Sequence, residues 1–443
     1  MEADSKSEKK GEAGYSVDSG KTGEKNKVPY AVLVALAMGM LVYGVAESYG
    51  PVSVIGGILP SKYLFLGLSL PYIAGGVGAL LAGTLADHIG RKGSFMVTSA
   101  MIVTGIAIFV FFSSDLIALI ISFILVGMAA IGLETPILSM IVESVPAKIR
   151  GKSLVIVQNF GNVGVAVTFI PVLLHFSSFV SKTAISLLFV APIAAMGISW
   201  LYMKETSPWR AVHGVTDIEN AWQDQDGTAE PVKAGISLPM RFLILIVIGI
   251  AQDVAFLYFA YGVGYSYFTY TIASEIPVIG GLTMVVAGIV FGIFFVDRIS
   301  RKLFTIFSYG ILVGLWALLW GFEAITHSST GLLLIVLMAL LFIPGELTWA
   351  ARGMLEPELF PTRHRGTYVS LVRFSVWVGA GLVMVLLTYT ALPFIIPAIT
   401  VMAIFVLSLG MTVLWQVKGF ETQSKSLSGL DSSMANKHMT GEK

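Results

Sequence analysis

Twelve apolar runs follow one another along the chain, at about residues 30–56, 63–86, 94–112, 115–140, 152–176, 183–203, 239–268, 277–296, 303–323, 331–352, 366–389 and 392–416. Each approaches the ~20 residues a helix needs to cross the hydrocarbon core of a bilayer. None shows the two-residue alternation of a membrane β-strand. The pattern predicts an all-α membrane protein with twelve transmembrane helices. Polar segments flank the runs at 1–28 and 417–443 and read as tails, the first of them disordered. The first does not read as a signal peptide, because apolar sequence begins only after it. One long internal polar stretch, 204–238, holds Asp217, Glu219, Asn220, Gln223, Asp224 and Asp226. It divides the chain into a six-helix bundle at 29–203, a linker loop and a second six-helix bundle at 239–416.

The charges between the runs repeat. Asp87-x3-Arg91-Lys92 returns as Asp297-x3-Arg301-Lys302, 210 residues on. Glu143-x2-Pro146-x3-Arg150-Gly151 returns as Glu358-x2-Pro361-x3-Arg365-Gly366, 215 residues on. Two pseudo-equivalent halves are therefore expected. Lys and Arg also set the orientation. With both termini in the cytoplasm, the inner loops hold fourteen of them and the outer loops two, Lys62 and Lys182. All four copies of the repeated strings then lie on the cytoplasmic side.

The strings have a family likeness. Gly83-Thr-Leu-Ala-Asp87-His-Ile-Gly90-Arg91-Lys92 resembles the loop 2–3 motif of the major facilitator superfamily, and Asp297 to Lys302 resembles its echo in loop 8–9. Glu358-Leu-Phe-Pro361-Thr-Arg-His-Arg365-Gly366 resembles the loop 10–11 motif of its sugar porters and metabolite:proton symporters, with Glu143 to Gly151 as the loop 4–5 copy. The resemblance implies two six-helix bundles about a central cavity and alternating access. It implies a cytoplasmic gate of Asp87, Arg91, Glu143, Arg150, Asp297, Arg301, Glu358 and Arg365, whose ion pairs form in one conformation and break in another. Lys92, Lys152 and Lys302 read instead as anchors obeying the positive-inside rule. Gly75, Ala79 and Gly83, four apart on the second run, supply a small-residue stripe for close helix packing.

The first, fourth, seventh and tenth runs carry Glu47, Glu134, Asp253 and Glu346. The resemblance makes these the cavity-lining helices. A charge at the bilayer centre costs about 2.5–3.5 kcal/mol on insertion scales, so such acids should face water, one another or an arginine. They are the candidate proton-coupling residues, Glu47 first. Glu346 could instead pair with Arg352 on its own run. Gln158 and Gly164 keep the spacing Arg-Gly-x6-Gln-x5-Gly of the sugar porters, in which that Gln binds substrate hydroxyls; an interhelical hydrogen bond is the plainer alternative. The repeat mate of Gln158 is Arg373, a candidate for an anionic group or a sugar hydroxyl, or a partner for Glu346 or Glu358. Asn162, Gln252, Asp253, Trp349 and Trp377 complete the expected substrate-binding set. The likeness is incomplete. The family's fourth-helix Arg is absent before Gly127, and Gln252-Asp253 replaces its double Gln. Glu205-Thr-Ser-Pro208-Trp209-Arg210 and Gly419-Phe-Glu421-Thr422 only partly match its post-bundle strings. Gly132-Leu-Glu134-x-Pro136 is closer to metabolite:proton symporters that carry organic acids.

Composition narrows the alternatives. The chain of 443 residues is 56% hydrophobic and 12% charged, where a soluble domain carries about 25% charge. A net charge of +1 gives no basic face for nucleic acid. There are no cysteines, hence no disulfide, thiol nucleophile or Cys-ligated zinc. No Gly-x4-Gly-Lys-Ser/Thr string binds a nucleotide, and no His-Glu-x2-His or Gly-x-Ser-x-Gly string marks an enzyme. The expected protein is a plasma-membrane secondary transporter without cofactor or metal, working as a monomer. It would move a small sugar or polyol with protons, or alternatively an organic acid. A transporter-like sensor is disfavoured by tails of fewer than thirty residues.

Overall fold

The computed structural model describes residues 30–55, 60–112, 114–187, 190–215, 235–268, 270–326, 332–389, 393, 395–427 and 430. The polar segment 1–28 and most of the linker stretch lie outside them. Twelve membrane helices follow in chain order. They are α1 (Tyr30–Ile55), α2 (Leu70–His88), α3 (Arg91–Phe112), α4 (Leu116–Ser144), α5 (Arg150–Leu173) and α6 (Val190–Tyr202), then α7 (Leu238–Leu257), α8 (Tyr270–Phe294), α9 (Arg301–Thr326), α10 (Leu332–Glu358), α11 (Arg365–Tyr389) and α12 (Ile395–Lys418). Among the described residues, eleven helices are long and apolar enough to cross a membrane. The sixth run, expected at 183–203, is helical wherever it is described, over Ser178–Leu187 and Val190–Tyr202.

Local chemistry places the ends. Asp115 starts α4 by accepting the Ala118 N–H at 2.8 Å. Pro71 and Pro239 occupy first-turn positions of α2 and α7, where the missing N–H costs nothing. Gly90 turns the chain from α2 into α3 at φ +91°, a conformation that side chains with a Cβ resist. Beyond Leu257, α7 runs through a π-helical turn, Tyr258–Gly262, into a last helical turn, Val263–Tyr267. Such turns often mark functional positions.

Helices α1–α6 and α7–α12 pack as two halves that meet along two seams, α2 on α11 and α5 on α8. The first seam is made by small residues. A Cβ on Gly76 would meet Val378 at 2.9 Å, and one on Gly381 would meet Ile73 at 2.8 Å. Gly83 and Gly366 bring the two backbones into direct contact. Gly75, from the expected stripe, packs instead on Ile131 of α4 within its own half. The second seam carries polar groups, described below. Outward faces expose large apolar side chains such as Leu282, Val286 and Leu407, as lipid contact requires.

Candidate functional site

Two networks of buried charge occupy the interior. The first lies at the end of the bundle where α2, α4, α8 and α10 terminate. Arg91 donates to Asp87 at 2.8 Å, to Glu143 at 2.9 Å and to the carbonyl of Ala86 at 2.7 Å. Glu143 also accepts from Arg365 at 2.8 Å. In the other half Arg301 reaches Asp297 at 3.1 Å, Glu358 at 3.7 Å and the carbonyl of Val296 at 2.7 Å, while Arg150 stands 3.6 Å from Glu358. Each Asp closes a seam by accepting two backbone N–H groups from the other half. Asp87 takes Gly366 at 3.0 Å and Thr367 at 2.7 Å, at the start of α11. Asp297 takes Gly151 at 3.1 Å and Lys152 at 2.8 Å, at the start of α5. A carboxylate on first-turn N–H groups gains both their hydrogen bonds and the positive end of the helix dipole. All eight expected residues of this set come together.

The sequence reading missed a third repeated pair in this network. Glu205-Thr206 follows α6 and Glu421-Thr422 follows α12, 216 residues apart. Thr206 donates to Glu143 and Thr422 to Glu358, both at 2.6 Å. Glu205 accepts the Lys92 N–H at 3.0 Å, and Glu421 accepts the Arg301 N–H at 2.9 Å. The signal was present as a Glu-Thr dipeptide after each bundle, in two strings set against the family's motifs but not against each other.

The second network lies at mid-bundle. Arg373 on α11 pairs with Glu134 on α4 and with Glu356 on α10, the latter at 2.7 and 2.8 Å. Arg352 on α10 pairs with Asp253 on α7 at 3.2 Å and stands 3.6 Å from Glu356. Glu134 further accepts from Trp349 at 3.0 Å and Gln158 at 3.3 Å. Two guanidiniums thus face three carboxylates. Glu356 was not among the expected acids, because it sits beside Pro357 at the edge of the loop 10–11 string. The tenth helix, which ends on Glu358, therefore buries Glu356 as well as Glu346 along its length. Arg352 does not pair with Glu346, and Arg373 pairs with neither Glu346 nor Glu358.

Glu346 lies instead on the α5–α8 seam. Its one described partner is Asn162, which donates at 2.7 Å and also donates to Asn159 at 2.9 Å. Asn159 in turn donates to the carbonyl of Val285 on α8 at 2.8 Å. A Cβ on Gly288 would meet the Glu346 carboxylate at 2.6 Å, so glycine is required there. Two side chains of one half therefore latch onto two helices of the other.

Between these groups is a cavity of about 10 Å³, enough for about one water. Its walls include Glu47, Asn162, Gln252, Asp253, Phe256 and Trp349. Of the seven expected substrate-binding residues, Asn162, Gln252, Asp253 and Trp349 line it. Gln158 and Arg373 lie behind it in the ion network. Trp377 stacks on Tyr72 across the α2–α11 seam, with ring centroids 5.8 Å apart. Glu47, 5% exposed, makes no ion pair among the described residues. Of the aromatic residues near α7, Tyr261 hydrogen-bonds Ser48 at 3.0 Å and stacks on Phe169, joining the halves on the side away from the first network.

The fold, with its duplicated halves and paired charges at the loops, is that of a major facilitator superfamily transporter. The chain belongs to the sugar transporter family, whose model, described as "Sugar (and other) transporter", matches residues 43–433. It is 26% identical over 380 residues to the "Probable metabolite transport protein CsbC" of Bacillus subtilis, covering 77% of this chain and 81% of that one. A shorter match, 30% identical over 140 residues, is to "Sugar transporter ERD6-like 7" of Arabidopsis thaliana, covering 31% of this chain and 28% of that one. In three dimensions it is similar to the proton:xylose symporter XylE bound to 6-bromo-6-deoxy-D-glucose, with a TM-score of 0.72 at 15% identity, covering 91% of this chain and 98% of that one. The inward-open xylose transporter XylE from E. coli matches with a TM-score of 0.59 at 16% identity, over 91% of this chain and 99% of that one.

Proposed function

We propose that the protein is a secondary transporter that moves a small uncharged polar metabolite, a sugar or polyol, together with protons. The observation that carries the substrate class is the occupancy of the central arginines. Arg352 and Arg373 are both held by carboxylates of the protein, which leaves neither free for an organic acid. The cavity walls offer amides, a carboxylate and the Trp349 indole, the groups that suit hydroxyls and the apolar face of a sugar ring. A guanidinium beside a carboxylate favours its charged form. Glu47 and Glu346 have no arginine, and they are the carboxyl groups we assign to proton coupling. Asn162 borders the cavity and donates to Glu346, so one amide links the two tasks.

The charged end serves as the gate and faces the cytoplasm of a plasma-membrane protein with both termini inside, as the Lys and Arg distribution favours. Its seam contacts form in the present conformation and must part when this end opens. One chain contains both halves, so the monomer suffices. The reported substrate of XylE and the names of the sequence relatives agree with a sugar or metabolite cargo.

Counterflow into liposomes against a panel of sugars, polyols and carboxylates, under an imposed pH gradient, tests this reading. A sugar or polyol should accumulate with the inward proton gradient. Glu346→Gln should retain counterflow and lose the response to the gradient. Accumulation of a carboxylate that Arg373→Ala abolishes would instead establish the organic-acid reading.

A further inference from the structure

Outside the two networks, the densest group of titratable side chains lines a pocket of about 210 Å³ beside Asp87. Three of the six histidines of the chain are there, His88, His213 and His364, together with Arg363. His88 ends α2, and His213 follows the short helix Ser207–Val212 behind α6. Arg363 and His364 belong to the turn that opens α11 in the other half. The seam between the halves therefore runs through the pocket.

The hydrogen bonds fix what the rings can offer. Nδ1 of His88 lies 2.7 Å from the carbonyl of Thr84, and Nδ1 of His213 lies 2.9 Å from that of Trp209. A carbonyl only accepts, so both rings carry a proton on Nδ1. Their Nε2 atoms accept when the rings are neutral and donate only as imidazolium. The His213 ring stacks on Trp209 at 4.1 Å, and His364 leans on Tyr368 at 5.8 Å, so these rings are positioned. Asp87 is the one acid among the pocket's described walls. Its carboxylate is already taken by Arg91, by the N–H groups of Gly366 and Thr367, and by the Thr367 hydroxyl. Three imidazoles and a guanidinium then meet across a seam with no free counter-charge among the pocket's described walls. Among the described residues no group of three or more His, Cys, Asp or Glu has an arrangement suited to a metal, so the chemistry of the pocket is that of an anion site.

We propose that this pocket binds a phosphate group, and that the bound phosphate clamps the two halves together at this end. Arg363 supplies a pH-independent fork suited to a phosphate. The imidazoles add donors as they protonate, a change histidine makes between about pH 5 and 8. Without the anion, protonation places like charges on both sides of the seam and pushes it apart. With the anion it draws them together. A ligand that binds only the closed pocket multiplies the closed-to-open ratio by 1 + [L]/Kd, about 100-fold at 100 times its Kd. The phosphate could be free or the headgroup of an anionic lipid, since the pocket stands at the ends of membrane helices. The clamp rests on the gate assignment above; binding does not.

The absence of cysteine makes the test direct, because cysteines introduced at exposed Lys148 and Arg298, on opposite halves, take spin labels at those positions alone. In phospholipid-free detergent at pH 6, inorganic phosphate should shift the label distances toward the closed, short population. At pH 8 the same shift should need more phosphate, since histidine as a residue type loses its ring charge across this range. Nanodiscs of phosphatidylcholine with and without phosphatidylglycerol separate the sources: a shift with phosphatidylglycerol alone assigns the headgroup, a shift with added phosphate assigns the free ion. The double variant Arg363→Gln with His213→Gln, both surface positions, should abolish the shift while leaving the distances at pH 8 without phosphate unchanged. The proposal fails if neither source moves the distances at either pH, or if the double variant responds as the parent does. Calorimetric binding of phosphate without any distance change would refute the clamp whatever the transported substrate proves to be.

Discussion

The two buried charge networks obey different rules. At the bundle end, the main contacts have counterparts in the other half: Asp87 and Asp297 on helix starts, Arg91 and Arg301 on their own acids and carbonyls, Thr206 and Thr422 on Glu143 and Glu358. At mid-bundle nothing is mirrored. The repeat mate of Arg373 is Gln158, and that of Glu134 is Trp349. Yet all four converge on one carboxylate, because Gln158, Trp349 and Arg373 each donate to Glu134. On the proposed function, symmetry is kept where both halves would make the same movement and is given up where one cargo would be held.

The largest expected effect is at the centre. Arg373→Ala strands Glu134 and Glu356 in a low-dielectric interior and should cost about 3–5 kcal/mol, read as a lowered thermal midpoint of the purified protein. Adding Glu134→Gln to that variant should recover part of the loss. If the single variant were as stable as the parent, the central network would not be what holds α4, α10 and α11 together. Next is the inequality within the repeated network. Glu143 has arginines at 2.8 and 2.9 Å, whereas those of Glu358 stand at 3.6 and 3.7 Å. Glu143→Gln should therefore destabilise by about 2–3 kcal/mol and Glu358→Gln by about half as much, measured by chemical unfolding. Equal costs would show that the symmetry extends to energies. Gly90→Ala comes third, at about 1–2 kcal/mol, because alanine resists positive φ. Smallest are Thr206→Val and Thr422→Val, each near 1 kcal/mol for one hydrogen bond and alike in effect, as their equal 2.6 Å bonds require.

Much of this was legible in the chain. The apolar runs place the helices, and the repeated strings name eight residues of the end network, though not the Glu-Thr pairs that join it. Helix length and loop charge are local properties, written in consecutive residues. Pairing at the centre is not local. Which acid meets Arg373 depends on the rotation and depth of three helices, so Glu356 was passed over and Glu346 was offered an arginine it does not touch. The latch of Asn159 and Asn162 was half visible: the residue types stood out in an apolar helix, but their partners on α8 and α10 did not.

The Glu-Thr pairs that follow α6 and α12 have a consequence for how the protein is made. Glu205 and Thr206 bind Lys92 and Glu143, while Glu421 and Thr422 bind Arg301 and Glu358. Neither pair reaches across to the other half. The fastening of the first bundle by Glu205 and Thr206 therefore needs no residue of the second. Each half leaves the insertion machinery with its principal end acid already provided with an arginine and a hydroxyl, so the nascent chain can wait in the bilayer for its second half without an unpaired acid at that edge.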